Sequence, residues 1–143
     1  MNYATSGFRY VGCWYLHLHL METTCRILAI DDEPSVTVSL RFVLVGPRYE
    51  VTCANNGQTA LAKLELAPDA YDVIIVDQKM PNLTGVQLVD AIRKRGITTK
   101  IIVVSAHLSR EVCEAYQGMD VHAMIPKPFN ISELRSLVDR VVF

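Results

Sequence analysis

The residues of this chain best equipped for chemistry are Asp31 and Asp32, Asp77, Ser105 and Lys127. Each follows a short apolar run: Arg26–Ile30, Val73–Val76, Lys100–Val104 and Ala123–Ile125. Carboxylates are hard oxygen donors and nucleophiles, and lysine is a compact positive charge. Gathered in one place, the acids would repel. Two unit charges about 4 Å apart cost about 4 kcal/mol at an effective dielectric near 20. Either a carboxylate takes up a proton or a cation fills the site. Oxygen ligands with room left for waters suit Mg²⁺. Taken singly, each residue has a plain explanation. Asp31 and Asp32 favour a helix N-terminus, Ser105 caps a helix, Lys127 is a solvated loop charge, and Asp77 is a strand-end acid. It is their shared placement that points to a site.

The elements that must position them follow from periodicity. The unbroken run Val73–Val76 is that of a strand buried on both faces of a parallel sheet, and Lys100–Val104 reads the same way. Arg26–Ile30 is a first strand. Pro34 then suits the first turn of a helix striped by Val36, Leu40, Val43 and Leu44, which Gly46-Pro47 stops. Tyr49–Ala54 alternates as a second strand, and Asn55-Asn56-Gly57 turns into a helix marked by Ala60, Leu61 and Leu64. Val86, Val89 and Ile92 stripe a third helix, with Arg93, Lys94 and Arg95 at its negative end. Ser109 caps a fourth helix running to about Gln117. Asn130 and Glu133 open a fifth, striped by Ile131, Leu134, Leu137, Val138 and Val141. Five strand-then-helix units predict an α/β fold, a doubly wound parallel sheet with right-handed crossovers. In such a sheet the carboxyl ends of the strands share one edge, so all the candidate residues converge there.

Composition narrows the function. With 143 residues, half of them hydrophobic, and a formal net charge of −1, the chain suits one globular domain. It has no block of like charge for binding nucleic acid or a membrane by bulk electrostatics, and its apolar runs are far too short to span a bilayer. Cys13, Cys25, Cys53 and Cys113 form no C-x-x-C pair and no metal-ligand rhythm with the histidines. Cys53 and Cys113 sit in element-like stretches and are expected to be buried thiols, which fits a cytoplasmic location. Residues 1–24 differ in character. They carry a Leu-His-Leu-His-Leu alternation at Leu16–Leu20 with strand period but no signal-peptide pattern. We expect an N-terminal extension or over-called leader over 1–24, with the domain at 25–143.

The stretch Arg26–Val141 resembles a bacterial two-component response-regulator receiver domain of the chemotaxis-regulator kind. The matching pieces are I-D-D-E-P at Ile30–Pro34, I-V-D-Q-K-M-P at Ile75–Pro81 with Gly85, V-S-A at Val104–Ala106, and P-K-P-F at Pro126–Phe129. The resemblance implies a flavodoxin-like sheet of five strands in the order 2-1-3-4-5, with five helices. It implies Asp77 as the acceptor of a phosphoryl group from phosphohistidine on a sensor histidine kinase or phosphotransfer protein. Asp31, Asp32 and Asp77, with the backbone carbonyl of Lys79, would hold Mg²⁺. Ser105, Ala106 and Lys127 would contact the phosphoryl group, and the Lys127-Pro128 peptide would be cis. Phosphoryl transfer needs an in-line nucleophile and positive charge on the oxygens, which this set supplies. Added phosphate would pull Ser105 inward and rearrange a bistable element.

The pattern departs from the family at Met124, where an aromatic that rotates inward is usual; methionine can fill the same gap. Lys79 and His107, the variable residues nearest the acceptor, are expected to tune phosphate lifetime. Partners through the helix 4 to helix 5 face would be a downstream protein, a missing effector domain or a second copy. The expectation is self-phosphorylation chemistry without turnover of a separate substrate. Two readings compete: a receiver-like binding module that works without phosphorylation, and a phosphatase using an aspartyl-phosphate. The phosphatase reading fits poorly, because such enzymes place D-x-D after the first strand and this chain has D-D-E.

Overall fold

The computed structural model describes residues 23–143, so the expectations for the earlier stretch, including the Leu16–Leu20 alternation, lie outside the described residues. Strands and helices alternate: β1 (Cys25–Ile30), α1 (Pro34–Val43), β2 (Tyr49–Ala54), α2 (Gly57–Leu66), β3 (Val73–Asp77), α3 (Gly85–Lys94), β4 (Lys100–Ser105), α4 (Arg110–Ala115), β5 (Ala123–Pro126) and α5 (Ile131–Val142). All five strands are parallel, in the order β2-β1-β3-β4-β5. This is the predicted topology. Register aligns Ile30 with Val76, Asp77 with Val104, and Ser105 with Pro126. The polar residue at each strand end therefore falls on one edge.

Alternation along the strands divides the core in two. Leu28, Ile30, Ile74, Val76, Ile101 and Val103 face one side, packed with Ala60, Leu64, Leu88, Val89 and Ile92 from α2 and α3. Ile27, Ala29, Val73, Ile75, Ile102 and Val104 face the other, packed with Leu40 of α1 and Leu134 and Val138 of α5. β3 lies between β1 and β4, and every residue of it is buried, which is why its sequence is an unbroken apolar run ending in the acid.

Local chemistry starts and stops the helices. Pro34 opens α1, and Gly46, with φ of 119°, takes a conformation that a side chain would disfavour. Asn56 accepts from the Thr59 N–H at 2.7 Å. Thr84 with Gln87 and Asn130 with Glu133 form capping boxes, and Ser109 accepts from the Val112 N–H. The Arg93 guanidinium does more than face the helix end. It donates to the carbonyls of Ile97, Thr99, Met119 and Asp120 at 2.8–2.9 Å, tying the end of α3 to the loop before β5.

Three local expectations are corrected. α4 ends at Ala115, short of Gln117, because Tyr116 is its C-cap and its N–H bonds back to Cys113 and Glu114. Cys113 is exposed, since no residue of α4 from Arg110 to Ala115 is buried; among the described residues the buried thiol is Cys25, and Cys53 is half-buried. Ile131 is 55% exposed, because the first turn of α5 belongs to the capping box and the inward stripe starts at Leu134.

Candidate functional site

The edge formed by the ends of β1, β3, β4 and β5 gathers the predicted residues. Asp31 follows β1 and is almost fully buried; its N–H donates to the Ala54 carbonyl at 3.2 Å. One carboxylate oxygen accepts from the Glu33 N–H at 2.9 Å, which turns the chain into α1, and the other accepts from Lys127 Nζ at 3.0 Å. Asp77, the last residue of β3, is 7% exposed and has its Oδ1 3.2 Å from the same Lys127 Nζ. Asp32 is more open to solvent than Asp31 or Asp77. One oxygen from each of Asp31, Asp32 and Asp77 lies within 4.8 Å of the others, close enough to ligate one cation.

Lys127 is carried by the turn after β5. Its N–H donates to the Ser105 carbonyl at 2.8 Å, and the following Lys127-Pro128 peptide is cis. Its ammonium is the positive charge set between Asp31 and Asp77. Burial works against that charge, but the bond to Asp31 and the charges of Asp31 and Asp77 outweigh it, so the pKa rises. Burial, then the neighbouring Asp31 charge, raises the Asp77 carboxyl despite Lys127. The site holds more negative charge than one lysine offsets, the condition that favours an added cation.

Ser105, 4% exposed, ends β4. Its hydroxyl donates to the His107 carbonyl at 2.9 Å and accepts from the His107 N–H at 3.2 Å. Ala106, His107 and Lys79 are exposed, and with Ser105, Gln78 and Thr84 they line a cavity of about 250 Å³ between the β3–α3 and β4–α4 loops. Met124 is half-buried in β5, packed against the cluster that contains Tyr116, and makes no contact with the acids that any hydrogen bond or charge would carry.

Two residues at this edge escaped the sequence reading. Gln78 directly follows Asp77, and its side-chain carbonyl accepts from the Tyr116 hydroxyl. Tyr116 is 4% exposed; burial, then the Asp77 charge, pushes its phenol pKa far up. The signal available was Val112 and Tyr116 at i and i+4, the inward spacing of α4. Gly85 matters through contact. A Cβ there would stand 2.5 Å from the Tyr116 hydroxyl and 2.9 Å from the Asp77 carbonyl oxygen.

Comparison with known proteins agrees with this geometry. The model of the response regulator receiver domain family matches residues 27–139. The response regulator MprA of Mycobacterium leprae is 39% identical over 111 residues, which cover 76% of this chain and 47% of that protein. The structure of chemotaxis protein CheY4 of Vibrio cholerae superposes with a TM-score of 0.76 at 32% identity, covering 82% of this chain and 98% of that one. The response regulator TrrA of Thermotoga maritima, solved in complex with Mg(2+)-BeF, has a TM-score of 0.73 at 31% identity, covering 82% and 99%. The chain spans 19% to 47% of the length of the curated relatives it matches. Among the described residues no helix is long and apolar enough to cross a membrane. With its sheet order, its acid edge and these matches, the chain belongs to the response regulator receiver domain family, the signalling modules of phosphorelays.

Proposed function

We propose that Asp77 accepts a phosphoryl group from phosphohistidine on a sensor histidine kinase or phosphotransfer protein. The observation that carries this reading is Lys127 Nζ, 3.0 Å from Asp31 and 3.2 Å from Asp77, two of three converging carboxylates. A carboxylate oxygen of Asp77 attacks phosphorus, the P–O bond forms as the P–N bond breaks, and the electron pair leaves with the imidazole nitrogen. Lys127 meets one phosphoryl oxygen and the Ser105 hydroxyl donates to another, with Ala106 leaving room beside them. Asp31, Asp32 and Asp77 with the Lys79 carbonyl fit Mg²⁺, being hard oxygen donors around an excess of negative charge. Bound there, Mg²⁺ supplies positive charge against the phosphoryl oxygens.

The same reading gives Lys79 and His107 control of phosphate lifetime, because both line the cavity next to Ser105. Lys79 acts by its charge, and His107 by placing or admitting the attacking water. Output passes through the face made by α4, β5 and α5 to a downstream protein, an effector domain or a second copy. A cytoplasmic location and the absence of direct nucleic-acid or membrane binding complete the proposal.

Intact mass tests it. Acetyl phosphate with Mg²⁺ should add one phosphate to the parent and none to Asp77→Asn, and chelating the metal should abolish the adduct. An unmodified parent would overturn the reading. Lys79→Ala and His107→Ala should change the decay rate of the adduct; rates equal to the parent's would remove the lifetime role.

A further inference from the structure

With methionine at position 124, a signal at Asp77 needs another connection to α4. This helix is lightly anchored: no residue from Arg110 to Ala115 is buried. Two tethers reach it from the site. At its leading end, Ser105 is bonded to both the N–H and the carbonyl of His107. At its trailing end, buried Tyr116 donates its phenol to the Gln78 side-chain carbonyl. Gln78 is itself held on both sides. Its N–H donates to the Val104 carbonyl at 2.9 Å, and its carbonyl accepts from the Gly85 N–H at 3.0 Å. The phenol finds room only because position 85 has no Cβ. A buried hydroxyl deprived of its acceptor is left unsatisfied, so this bond persists while the ring stays inside.

A phosphoryl group treats the two tethers differently. The Ser105 hydroxyl has one proton, so donating it to a phosphoryl oxygen ends its donation to His107. The Tyr116–Gln78 bond uses neither Ser105 nor the Asp77 carboxylate, and it remains. We propose that Tyr116 is a positioning residue that pins the C-terminal end of α4 through Gln78, so that loss of the Ser105 bond to the His107 carbonyl swings the helix about Tyr116 instead of freeing it whole. Met124, packed in the same apolar cluster as Tyr116, follows the helix and does not drive it. This inference rests on phosphoryl acceptance at Asp77.

Amide NMR spectra of the full chain with Mg²⁺, taken with and without beryllofluoride as the phosphoryl mimic, test the pivot. In the parent, shifts should appear at Asp77, Ser105 and Leu108–Val112 and stay small at Tyr116–Met119. Tyr116→Phe keeps the ring and removes the bond. It should leave the shifts at Asp77 and Ser105 unchanged and extend the others through position 119. Without the mimic, exchange of the Gln117 and Met119 amides should speed up about fivefold, the equivalent of one hydrogen bond of about 1 kcal/mol. Gln78→Met, which removes the acceptor, should give the same profile. A parent-like profile in either variant overturns the pivot, as does a parent whose shifts are as large at Tyr116–Met119 as at Leu108–Val112. A parent with no shift at Asp77 and Ser105 overturns phosphoryl acceptance itself, and the pivot with it.

Discussion

Lys127 is one cation set against three carboxylates, and it is 24% exposed while Asp31 is 3% exposed. Removing one partner of a buried pair strands the other charge, and the loss is several kcal/mol when both groups are dry. The partial exposure of Lys127 lowers it. Lys127→Met should destabilise the metal-free protein by about 2 kcal/mol in urea unfolding, and added Mg²⁺ should recover part of the loss. Asp77 has the opposite sign. Its carboxyl is raised on folding, by burial and then by Asp31. Such a group favours the native state below the unfolded pKa, and that contribution is lost as pH rises through the folded value. In cation-free buffer near neutral pH, Asp77→Asn should therefore be more stable than the parent, by roughly 1 kcal/mol. The gap should close on acidification below the ordinary aspartate range. A parent as stable as the variant at neutral pH would mean that Lys127 already balances the site.

At the scale of elements, the site is precise because the turns after β1, β3 and β5 are each held by a hydrogen bond to the backbone or to Asp31. The β3–α3 loop closes on Gly85, whose N–H meets the Gln78 carbonyl while its missing side chain admits the Tyr116 hydroxyl. An alanine methyl there meets backbone at 2.9 Å, at the Asp77 oxygen and Gln78 Cα, and backbone cannot move aside as a flexible side-chain end can. Gly85→Ala should cost about 1–3 kcal/mol, read from the melting temperature, and should shift the Asp77 amide resonance. The capping box at Asn130 sets where α5 begins, directly after the Lys127 turn. Asn130→Ala should cost about 1 kcal/mol by the same measurement, without changing the acids. A melting temperature equal to the parent's in both variants would show these ends to be held by packing alone.

Across the whole molecule, a parallel sheet with helices on both faces brings Asp31, Asp77, Ser105 and Lys127 together from four separate strand ends. The fold and a bound cation should therefore stabilise one another. Mg²⁺ at about a hundred times its dissociation constant should add about 2.7 kcal/mol to unfolding, and Asp32→Asn should reduce that gain more than it changes metal-free stability. Much of this was legible in the sequence, because apolar runs, caps and breakers are local signals. Val73–Val76 reads as a strand buried on both faces, and the alternation of five strands with five helices leaves few topologies. The motif residues sit at strand ends, so their convergence follows from the sheet. Exposure and reach are decided only by contacts distant in the chain. Cys113 lies in a helical pattern like any other, yet α4 buries none of its residues. Arg93 reads as a charge at a helix end, yet its guanidinium collects four carbonyls from two other segments. Tyr116 and Gln78 are 38 residues apart, and nothing in either local pattern pairs them. The sequence by itself determined the parallel sheet and the acid edge, because periodicity and strand-end placement are carried by neighbouring residues, while the strand order followed from the family resemblance. Only the tertiary structure decided which side chain ties the end of α4 to Gln78, the residue after Asp77, because a hydrogen bond between distant segments exists once both elements are packed.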